Sequence, residues 1–245
     1  MRLSSNRRSG AFFDIDGTLL RGFIIQEFPR FLVTEGFIEP VFPDQIDKAI
    51  SSYYSGAASY REIAEVIPRL YASALEGRGV DDVKELAKRF IEVYLPQRIL
   101  PYSKPLIRSV SELVDVTIAV SGSPIEVVEE LEELGFDKIY GSIFENKSGI
   151  YTGRVIINLI LGEEKAELVR RVAEELKVDL SKSLAFGDTD QDAPLLSLVG
   201  LPIAINPNRK LREICKSKGW RWLDKEDLQD LEQVTEWLED KIRSL

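Results

Sequence analysis

The sequence contains no histidine and a single cysteine, Cys215, among its 245 residues. The absence of histidine excludes Ser-His-Asp triads, Cys-His pairs and metal sites built on imidazole. One cysteine excludes an internal disulfide and a thiolate cluster. Any chemistry must therefore use carboxylates, lysine, hydroxyls, backbone amides or a bound metal ion.

Long hydrophobic runs are also absent. The longest stretch without a charged residue, 193–208, has 16 residues and contains three prolines, so it is too short and too broken for a membrane helix. The basic, serine-rich residues 1–10 precede no apolar segment of signal-peptide length and are expected to form a short tail. The net charge of −9 argues against nucleic acid and anionic membranes as partners. We expect a cytoplasmic protein, and the sequence does not indicate its oligomeric state.

Short apolar runs alternate with helical patterns over much of the chain. Continuous apolar runs of this kind are typical of buried parallel strands, and their alternation with helices predicts an α/β fold with a doubly wound, Rossmann-like parallel sheet. The segment 149–155 is expected to form a hairpin or strand. The predicted strands are 11–15, 116–120, 184–186, 203–205 and, as a further possibility, 220–223.

Residues 21–103 have a different pattern, with recurrent helical stripes and no convincing strand. Ser59 and Glu62 have the spacing of a capping box at a helix start, and Pro96 and Pro101 are expected to end the last helix. The pattern predicts an all-helical insert over 21–103. Residues 1–20 and 104–245 are then expected to form the unit that contains the sheet.

Two acidic motifs follow predicted strands. In the first, Asp14 and Asp16 lie two residues apart at the end of strand 11–15, and Gly17 permits a sharp turn. Two close carboxylates raise each other's pKa unless a cation lies between them, which suits Mg²⁺. An ordinary Asp-Gly turn is the alternative.

The second acidic motif, GDTDQD at 187–192, follows strand 184–186. Its acids, among them Asp188 and Asp192, repel one another unless a cation or solvent offsets their charge. The alternative is a solvated acidic turn. The spacing does not fit a calcium-binding EF-hand loop.

Two further features suit an anion. Ser121, Gly122 and Ser123 follow strand 116–120 at the expected start of a helix over 125–134, where hydroxyls and free amides form a phosphate cradle. Ser123 also has the position of the N-cap of that helix, so capping alone is the alternative. Lys165, near a second helix start, is either a phosphate ligand or a surface lysine.

In order, DIDGT, the Ser121 hydroxyl, Lys165 and GDTDQD resemble the four motifs of the haloacid dehalogenase superfamily. They span residues 14–192, and the helical insert lies where that family places a type-1 cap. The resemblance thus implies a cap domain over 21–103 and a Rossmann-like catalytic core over 1–20 and 104–245. The pieces AFFDIDGTLL, SGSP, YTGR and GDTDQDAPLL resemble the phosphoserine-phosphatase-like branch most closely.

The resemblance implies that Asp14 is the nucleophile and Asp16 the general acid and base. It also implies phosphate binding by Ser121, the Gly122 amide and Lys165.

For the metal, the resemblance implies that Asp188 holds Mg²⁺ together with Asp14 and the backbone carbonyl of Asp16. Asp192 then supports the metal or its waters.

The sequence thus predicts a Mg²⁺-dependent phosphatase that acts on a small phosphorylated metabolite through an aspartyl phosphate. A phosphomutase acting on sugar phosphates and a phospho-ligand-binding protein of low turnover are the alternatives.

The residues that would select the substrate are less clearly indicated. The stretch 19–25 is more apolar than expected for a site that binds phosphoserine, and the first acid after it is Glu27. Residues of the insert that either line the substrate pocket or pack in the core are Tyr53, Tyr54, Tyr60 and Arg61.

Overall fold

The structure, a computed structural model, describes residues 8–245. Positions 1–7 of the expected tail lie outside the described residues. The tail prediction is wrong for residues 8–10, because backbone hydrogen bonding draws them into the fold. The Arg8 amide donates to the Lys177 carbonyl at 3.0 Å, and the Ser9 amide donates to the Asp115 carboxylate at 2.7 Å.

The elements of residues 8–245 alternate in the order expected of an α/β protein. The strands are β1 (Gly10–Phe13), β2 (Val116–Pro124), β3 (Lys138–Lys147), β4 (Ile150–Ile157), β5 (Leu184–Gly187), β6 (Leu201–Ile205) and β7 (Arg221–Leu223). The α-helices are α1 (Ile24–Thr34), α2 (Val41–Tyr54), α3 (Tyr60–Leu75), α4 (Val80–Arg98), α5 (Ser103–Ser111), α6 (Ile125–Val128), α7 (Gly162–Glu175), α8 (Ala193–Leu196), α9 (Arg209–Lys218) and α10 (Leu231–Ile242).

The seven strands form one sheet in the order β4-β3-β2-β1-β5-β6-β7. All neighbours are parallel except β3 and β4, which form an antiparallel hairpin. The hairpin is the one anticipated at 149–155, and its turn uses positive φ at Ser148 and Gly149. The strands β2, β1 and β5 are adjacent and parallel. The two acidic motifs and the serine motif, which lie at their carboxyl ends, therefore meet at the same end of the sheet.

Alternate strand residues supply two separate cores, one on each face of the sheet. Phe13 and Phe186 stack at 4.4 Å on one face, where the helices of the insert, α5 and α10 also contribute. Phe12 and Ile118 belong to the other face, which α7, α8 and α9 cover. A sheet buried on both faces explains the continuous apolar runs of its strands, and the doubly wound α/β prediction is confirmed.

The four helices α1 to α4 all lie within the predicted insert, and the Ser59–Glu62 capping box is present. Pro96 does not end the last helix, because α4 continues to Arg98. Three backbone hydrogen bonds join the insert to the β3–β4 hairpin. The Gly77 amide donates to the Tyr151 carbonyl at 2.9 Å, and the Tyr151 amide donates to the Arg78 carbonyl at 2.9 Å. The Val80 amide donates to the Gly149 carbonyl at 2.8 Å. The division into cap and core remains a prediction.

The helix expected over 125–134 is broken. It consists of α6 followed by a 3₁₀ segment at Glu129–Leu134, with a kink at Leu131. Glutamates three and four residues apart in this segment oppose a regular α-helix by mutual repulsion. Gly135 ends it in the left-handed conformation, as expected.

Within residues 8–245, none of the helices has the length and apolar character needed to cross a bilayer.

Candidate active site

Three neighbouring strands bring the predicted motifs together at their carboxyl ends. Asp14 follows β1, Asp188 follows β5, and Ser121 to Ser123 form the end of β2. The Asp14 amide donates to the Phe186 carbonyl at 3.0 Å, which fixes where the chain leaves the sheet. Ligands of open α/β sheets bind at this edge, so the sheet topology itself assembles the candidate site.

Lys165 joins two of the predicted acids. Its Nζ atom lies 2.6 Å from Asp14 Oδ1 and 2.9 Å from Asp192 Oδ1, and all three side chains are buried. Burial raises the pKa of Asp14 to about 7, against the opposing effect of Lys165. Although burial disfavours a charged lysine, the two carboxylates raise the pKa of Lys165 above its ordinary value. Lys165 is thus a buried cation of the site and not a surface lysine.

Asp14, Asp188 and Asp192 form a carboxylate cluster in which one oxygen from each lies within 4.8 Å of the others. Burial and the nearby charges of Asp14 and Asp192 raise the pKa of Asp188 to about 9. Hard carboxylate oxygens at this spacing fit a divalent cation such as Mg²⁺, whose charge would relieve the repulsion. The donor set therefore fits the metal that the sequence predicts.

Gly17 allows the first acidic loop to approach the second. Its φ of +89° lies in the left-handed region, and a Cβ atom there would lie 2.4 Å from Asp188 Oδ2. The hydroxyl of Thr18, the next residue, lies 2.9 Å from Asp14 Oδ2 and 3.0 Å from Asp188 Oδ1. Glycine at position 17 is thus required both by backbone conformation and by space.

Asp16 is held apart from this cluster by three hydrogen bonds. Its carboxylate accepts from the Ile24 amide at 2.8 Å, Ser121 Oγ at 2.9 Å and Ser123 Oγ at 2.8 Å. Burial raises the pKa of Asp16, and these hydrogen bonds oppose the rise. A carboxyl group with a raised pKa, held in one orientation near the Asp14 carboxylate, suits proton transfer.

The serine motif differs in detail from the expectation. Ser123 is not an N-cap; besides donating to Asp16, its hydroxyl accepts from the Ile25 amide at 3.2 Å. Ser121 is fully buried against Asp16, whereas Gly122 and Ser123 line the adjoining cavity. The phosphate-binding roles of Ser121, Gly122 and Lys165 remain predictions.

A cavity of about 340 Å³ opens over Asp14, Lys165 and Asp188. The side contributed by the insert is apolar and aromatic, consisting of Phe23, Ile25, Ile50, Tyr53, Tyr54, Tyr60, Ile63 and Ile67. Leu159 and Ile160, from the loop that precedes α7, complete this wall. Arg61 instead lies outside the cavity, with its guanidinium 3.7 Å from Glu163 and both side chains largely exposed. The three tyrosines therefore line the pocket, and Arg61 does not.

The profile described as haloacid dehalogenase-like hydrolase matches residues 11–197, which include every predicted motif. The chain belongs to this family. The resemblance found in the four motifs is thus confirmed at the level of the superfamily.

Two named relatives within this family are phosphatases, which agrees with the phosphoserine-phosphatase-like branch predicted from the sequence. The chain is 26% identical to phosphoserine phosphatase SerB1 of Mycobacterium tuberculosis, over 88% of this chain and 70% of that protein. It is 27% identical to a histidinol-phosphatase of Neisseria meningitidis, over 86% of this chain and 96% of that protein. A solved phosphoserine phosphatase with bound substrate matches the fold with a TM-score of 0.64 and 22% identity, covering 94% of this chain and 99% of that chain.

Some groups of the haloacid dehalogenase-like site escaped prediction from the sequence. They are the Thr18 hydroxyl, the Ser123 hydroxyl as an Asp16 ligand, the Ile24 amide and the side chain of Asn208. Asn208 donates to Asp190 at 2.9 Å and caps α9. Thr18 lies in DIDGT and Ser123 lies in SGSP, so their positions inside these motifs could have identified them as site residues. Ile24 and Asn208 lie outside the motifs, and only the tertiary structure brings them to the site.

Proposed function

We propose that this haloacid dehalogenase-like hydrolase is a Mg²⁺-dependent phosphatase that hydrolyses a small phosphate monoester through an aspartyl phosphate on Asp14. The observation that carries the proposal is the convergence of Asp14, Asp188 and Asp192 within 4.8 Å, with the Lys165 ammonium 2.6 Å from Asp14. Relatives named for the hydrolysis of phosphoserine and of histidinol phosphate support the same reaction class.

Asp14 is the proposed nucleophile. One of its carboxylate oxygens attacks phosphorus in line with the departing alcohol oxygen, so a new P–O bond forms as the ester P–O bond breaks. Lys165 favours the ionised form of Asp14 and so opposes the effect of burial on its pKa, because its ammonium lies in direct contact with that carboxylate. The same ammonium offsets charge on the phosphoryl oxygens.

Asp16 is the proposed proton carrier. It gives a proton to the alcohol oxygen as that oxygen leaves, and then takes one from the water that cleaves the aspartyl phosphate. The hydrogen bonds from Ser121, Ser123 and Ile24 hold the carboxyl group in one orientation for both steps. The Gly122 amide and the Ser121 hydroxyl are the proposed phosphate ligands at the end of β2.

Asp14, Asp188 and the carbonyl of Asp16 would hold Mg²⁺, with Asp192 supporting the metal or its waters. The bound ion supplies charge stabilisation for the transferred phosphoryl group. Asp192 also fixes the loop after β5, because its Oδ2 accepts from the Asp188 and Thr189 amides at 3.2 and 3.0 Å.

The proposal includes the division into a core, 1–20 and 104–245, and a helical cap, 21–103, placed over the site. The partner is a small phosphorylated metabolite in the cytoplasm, and no nucleic acid or membrane takes part.

Hydrolysis of p-nitrophenyl phosphate with and without Mg²⁺ tests the reaction, with wild type compared with Asp14→Asn. We expect turnover that requires the metal and is lost in the variant, because an amide is a poor nucleophile. The matched control is Asp115→Asn, an acid on the opposite edge of the sheet that binds Ser9. Absence of turnover over a broad panel of phosphate monoesters would overturn the proposal.

A further inference from the structure

We propose that the leaving group of the substrate is an uncharged, predominantly apolar alcohol, aliphatic or aromatic, which the wall formed by the insert receives. This inference rests on the proposed phosphatase function and adds the class of substrate.

The distribution of charge around the cavity is one-sided. Among the described lining residues, the acids and the single cation belong to the strand-end loops and α7: Asp14, Asp16, Lys165, Asp188, Asp190 and Asp192. The insert contributes only isoleucine, phenylalanine and tyrosine side chains. The reacting phosphate and the rest of the substrate therefore meet two different environments.

A zwitterionic leaving group such as serine finds no matched partners on this wall. Its carboxylate needs a cation, but Lys165, the one lysine or arginine among the described lining residues, already contacts Asp14 and Asp192. Its ammonium needs a carboxylate without a cation, but the Lys210 ammonium lies 3.8 Å from Asp190. Asp190 also accepts from Asn208 and Gln191 at 2.9 and 3.0 Å. Desolvating charges without partners is costly, so the wall disfavours this class.

The wall is suited to apolar contact instead. Ile63, Ile67 and Leu159 are buried side chains that face the cavity without polar groups. The Tyr60 hydroxyl donates to the Ile160 carbonyl at 3.1 Å, so it already has a partner within the wall. The Tyr53 ring packs edge-on against Tyr60 at 5.7 Å. The ring carbons of these residues thus add hydrocarbon surface to the wall.

Two exposed aromatic residues extend this surface. Phe23 is 43% exposed and Tyr54 is 75% exposed, and both line the same cavity. Because they adjoin the apolar wall, their exposed carbon atoms add to the surface that an apolar ligand would remove from water. A substrate with an extended hydrocarbon part would cover them.

The reaction balances with water as the only co-reactant. The P–O bond to the alcohol breaks, a P–O bond to the water oxygen forms, and the products are the free alcohol and inorganic phosphate. A water proton ends on the alcohol oxygen, by way of Asp16.

The test measures phosphate release from ethyl, butyl and hexyl phosphate, O-phosphoserine and p-nitrophenyl phosphate. The alkyl alcohols are nearly equal as leaving groups, so differences report contact with the wall. We expect kcat/KM to rise about fourfold per added methylene, the value of burying about 0.8 kcal/mol of hydrocarbon, and phosphoserine to fall below butyl phosphate.

A charged and a neutral ester of the same shape give a second comparison, namely phosphocholine and 3,3-dimethylbutyl phosphate. We expect the neutral ester to have the higher kcat/KM. Preference for phosphocholine would overturn the proposal, because it would show that the aromatic residues bind a cation.

Variants at the mouth of the cavity connect the preference to this wall. Because their side chains are exposed, Tyr54→Ser and Phe23→Ser are expected to fold, and they should lower the hexyl-to-ethyl ratio of kcat/KM threefold or more. Val93→Ser is the matched control, since Val93 is 60% exposed on α4 and outside the cavity lining. An equal fall in the control would overturn the assignment to the wall.

The remaining outcomes separate the two proposals. Turnover of p-nitrophenyl phosphate with a flat alkyl series, or with phosphoserine as the best substrate, would overturn the substrate class and leave the phosphatase function intact. No turnover of any ester would overturn the phosphatase function and the substrate class with it.

Discussion

The backbone amide of Ile24 donates a 2.8 Å hydrogen bond to the carboxylate of Asp16. Ile24 is the first residue of α1, and the helix has no side-chain N-cap of its own. Asp16 therefore supplies an acceptor for a free amide at this helix start, and the helix start in turn favours the charged carboxylate. The protonation of the proposed acid and the position of the first helix of the insert are thereby linked.

Ser123→Ala tests this link. The change removes a donor to Asp16 and the acceptor of the Ile25 amide. We expect a loss of stability of about 1–3 kcal/mol from the buried amide left unpaired. Because a donor to the carboxylate lowers the Asp16 pKa, its removal raises that pKa, and the limb of the kcat/KM profile that reports Asp16 moves to higher pH.

Urea unfolding and pH–rate profiles measure the two effects of Ser123→Ala. Ser111→Ala is the control, because the exposed Ser111 hydroxyl binds only the Arg108 carbonyl one turn back, and we expect a change within about 0.5 kcal/mol. An unmoved pH limb in Ser123→Ala would show that Ser123 does not tune Asp16.

Asp16→Asn tests proton transfer separately from structure. The amide oxygen of asparagine still accepts from Ile24, so we expect the fold to persist. Turnover of alkyl phosphates should fall about 10²–10⁴-fold, the usual contribution of a general acid or base. p-Nitrophenolate leaves without a proton, so the variant should release about one equivalent in a burst before the slow hydrolysis step. Stopped-flow absorbance measures this burst, and unimpaired steady-state turnover of alkyl phosphates would contradict the role.

Mg²⁺ is expected to stabilise the fold more at pH 8.5 than at pH 6.5. The folded-state pKa values of Asp14, about 7, and Asp188, about 9, exceed the ordinary 3.8. Without metal, stability therefore falls as pH rises through these values, because the folded state must release protons that the unfolded state has already lost. Protons also compete with the metal at low pH.

Thermal unfolding with and without Mg²⁺ at the two pH values measures this dependence. In Asp188→Asn, the metal-free protein should be as stable as wild type or more stable, since a neutral amide replaces a buried carboxyl group whose ionisation the metal-free fold opposes. Its gain from Mg²⁺ should be largely lost. An equal gain in wild type and variant would contradict the proposed metal site.

Glu126→Gln tests a buried acid that does not line the cavity. Glu126 accepts from the Tyr151 hydroxyl beneath the insert, and its Oε2 atom has no partner in the described structure. Burial raises the pKa of Glu126 above 4.5, against the Tyr151 hydrogen bond. Its folded form therefore retains a proton that the unfolded form loses, so wild-type stability falls as pH rises above 4.5, and the variant lacks this contribution.

Urea unfolding between pH 5 and 8 in saturating Mg²⁺ gives the slope of stability against pH. Glu236→Gln, a change at an exposed position of α10, should retain the wild-type slope. A wild-type slope in Glu126→Gln would show that Glu126 is ionised in the fold.

The sheet and the acidic site could be predicted because both depend on local signals. Strand ends, Gly17 and paired aspartates occur within a few residues, and parallel pairing then places Asp14 and Asp188 together. Ser123 was misjudged as a cap because its hydroxyl could serve a helix start or Asp16, and only tertiary structure decides between them. Pro96 was misjudged because proline disfavours a helix interior without forbidding it, and α4 passes through it. The apolar wall required the packing of α2 and α3 over the sheet, which no single motif encodes.

The three backbone hydrogen bonds between the insert and the β3–β4 hairpin have a consequence for how substrate range is encoded. The same hairpin leads through residues 158–161 into the wall that carries Leu159 and Ile160, and Asn158 donates to the Ala64 carbonyl of α3 at 2.8 Å. A change of hairpin length would therefore shift both halves of the wall at once. On the proposed substrate class, preference would depend on two stretches that lie far apart in the sequence, 23–67 and 159–160, and relatives whose inserts alone are alike need not share a substrate.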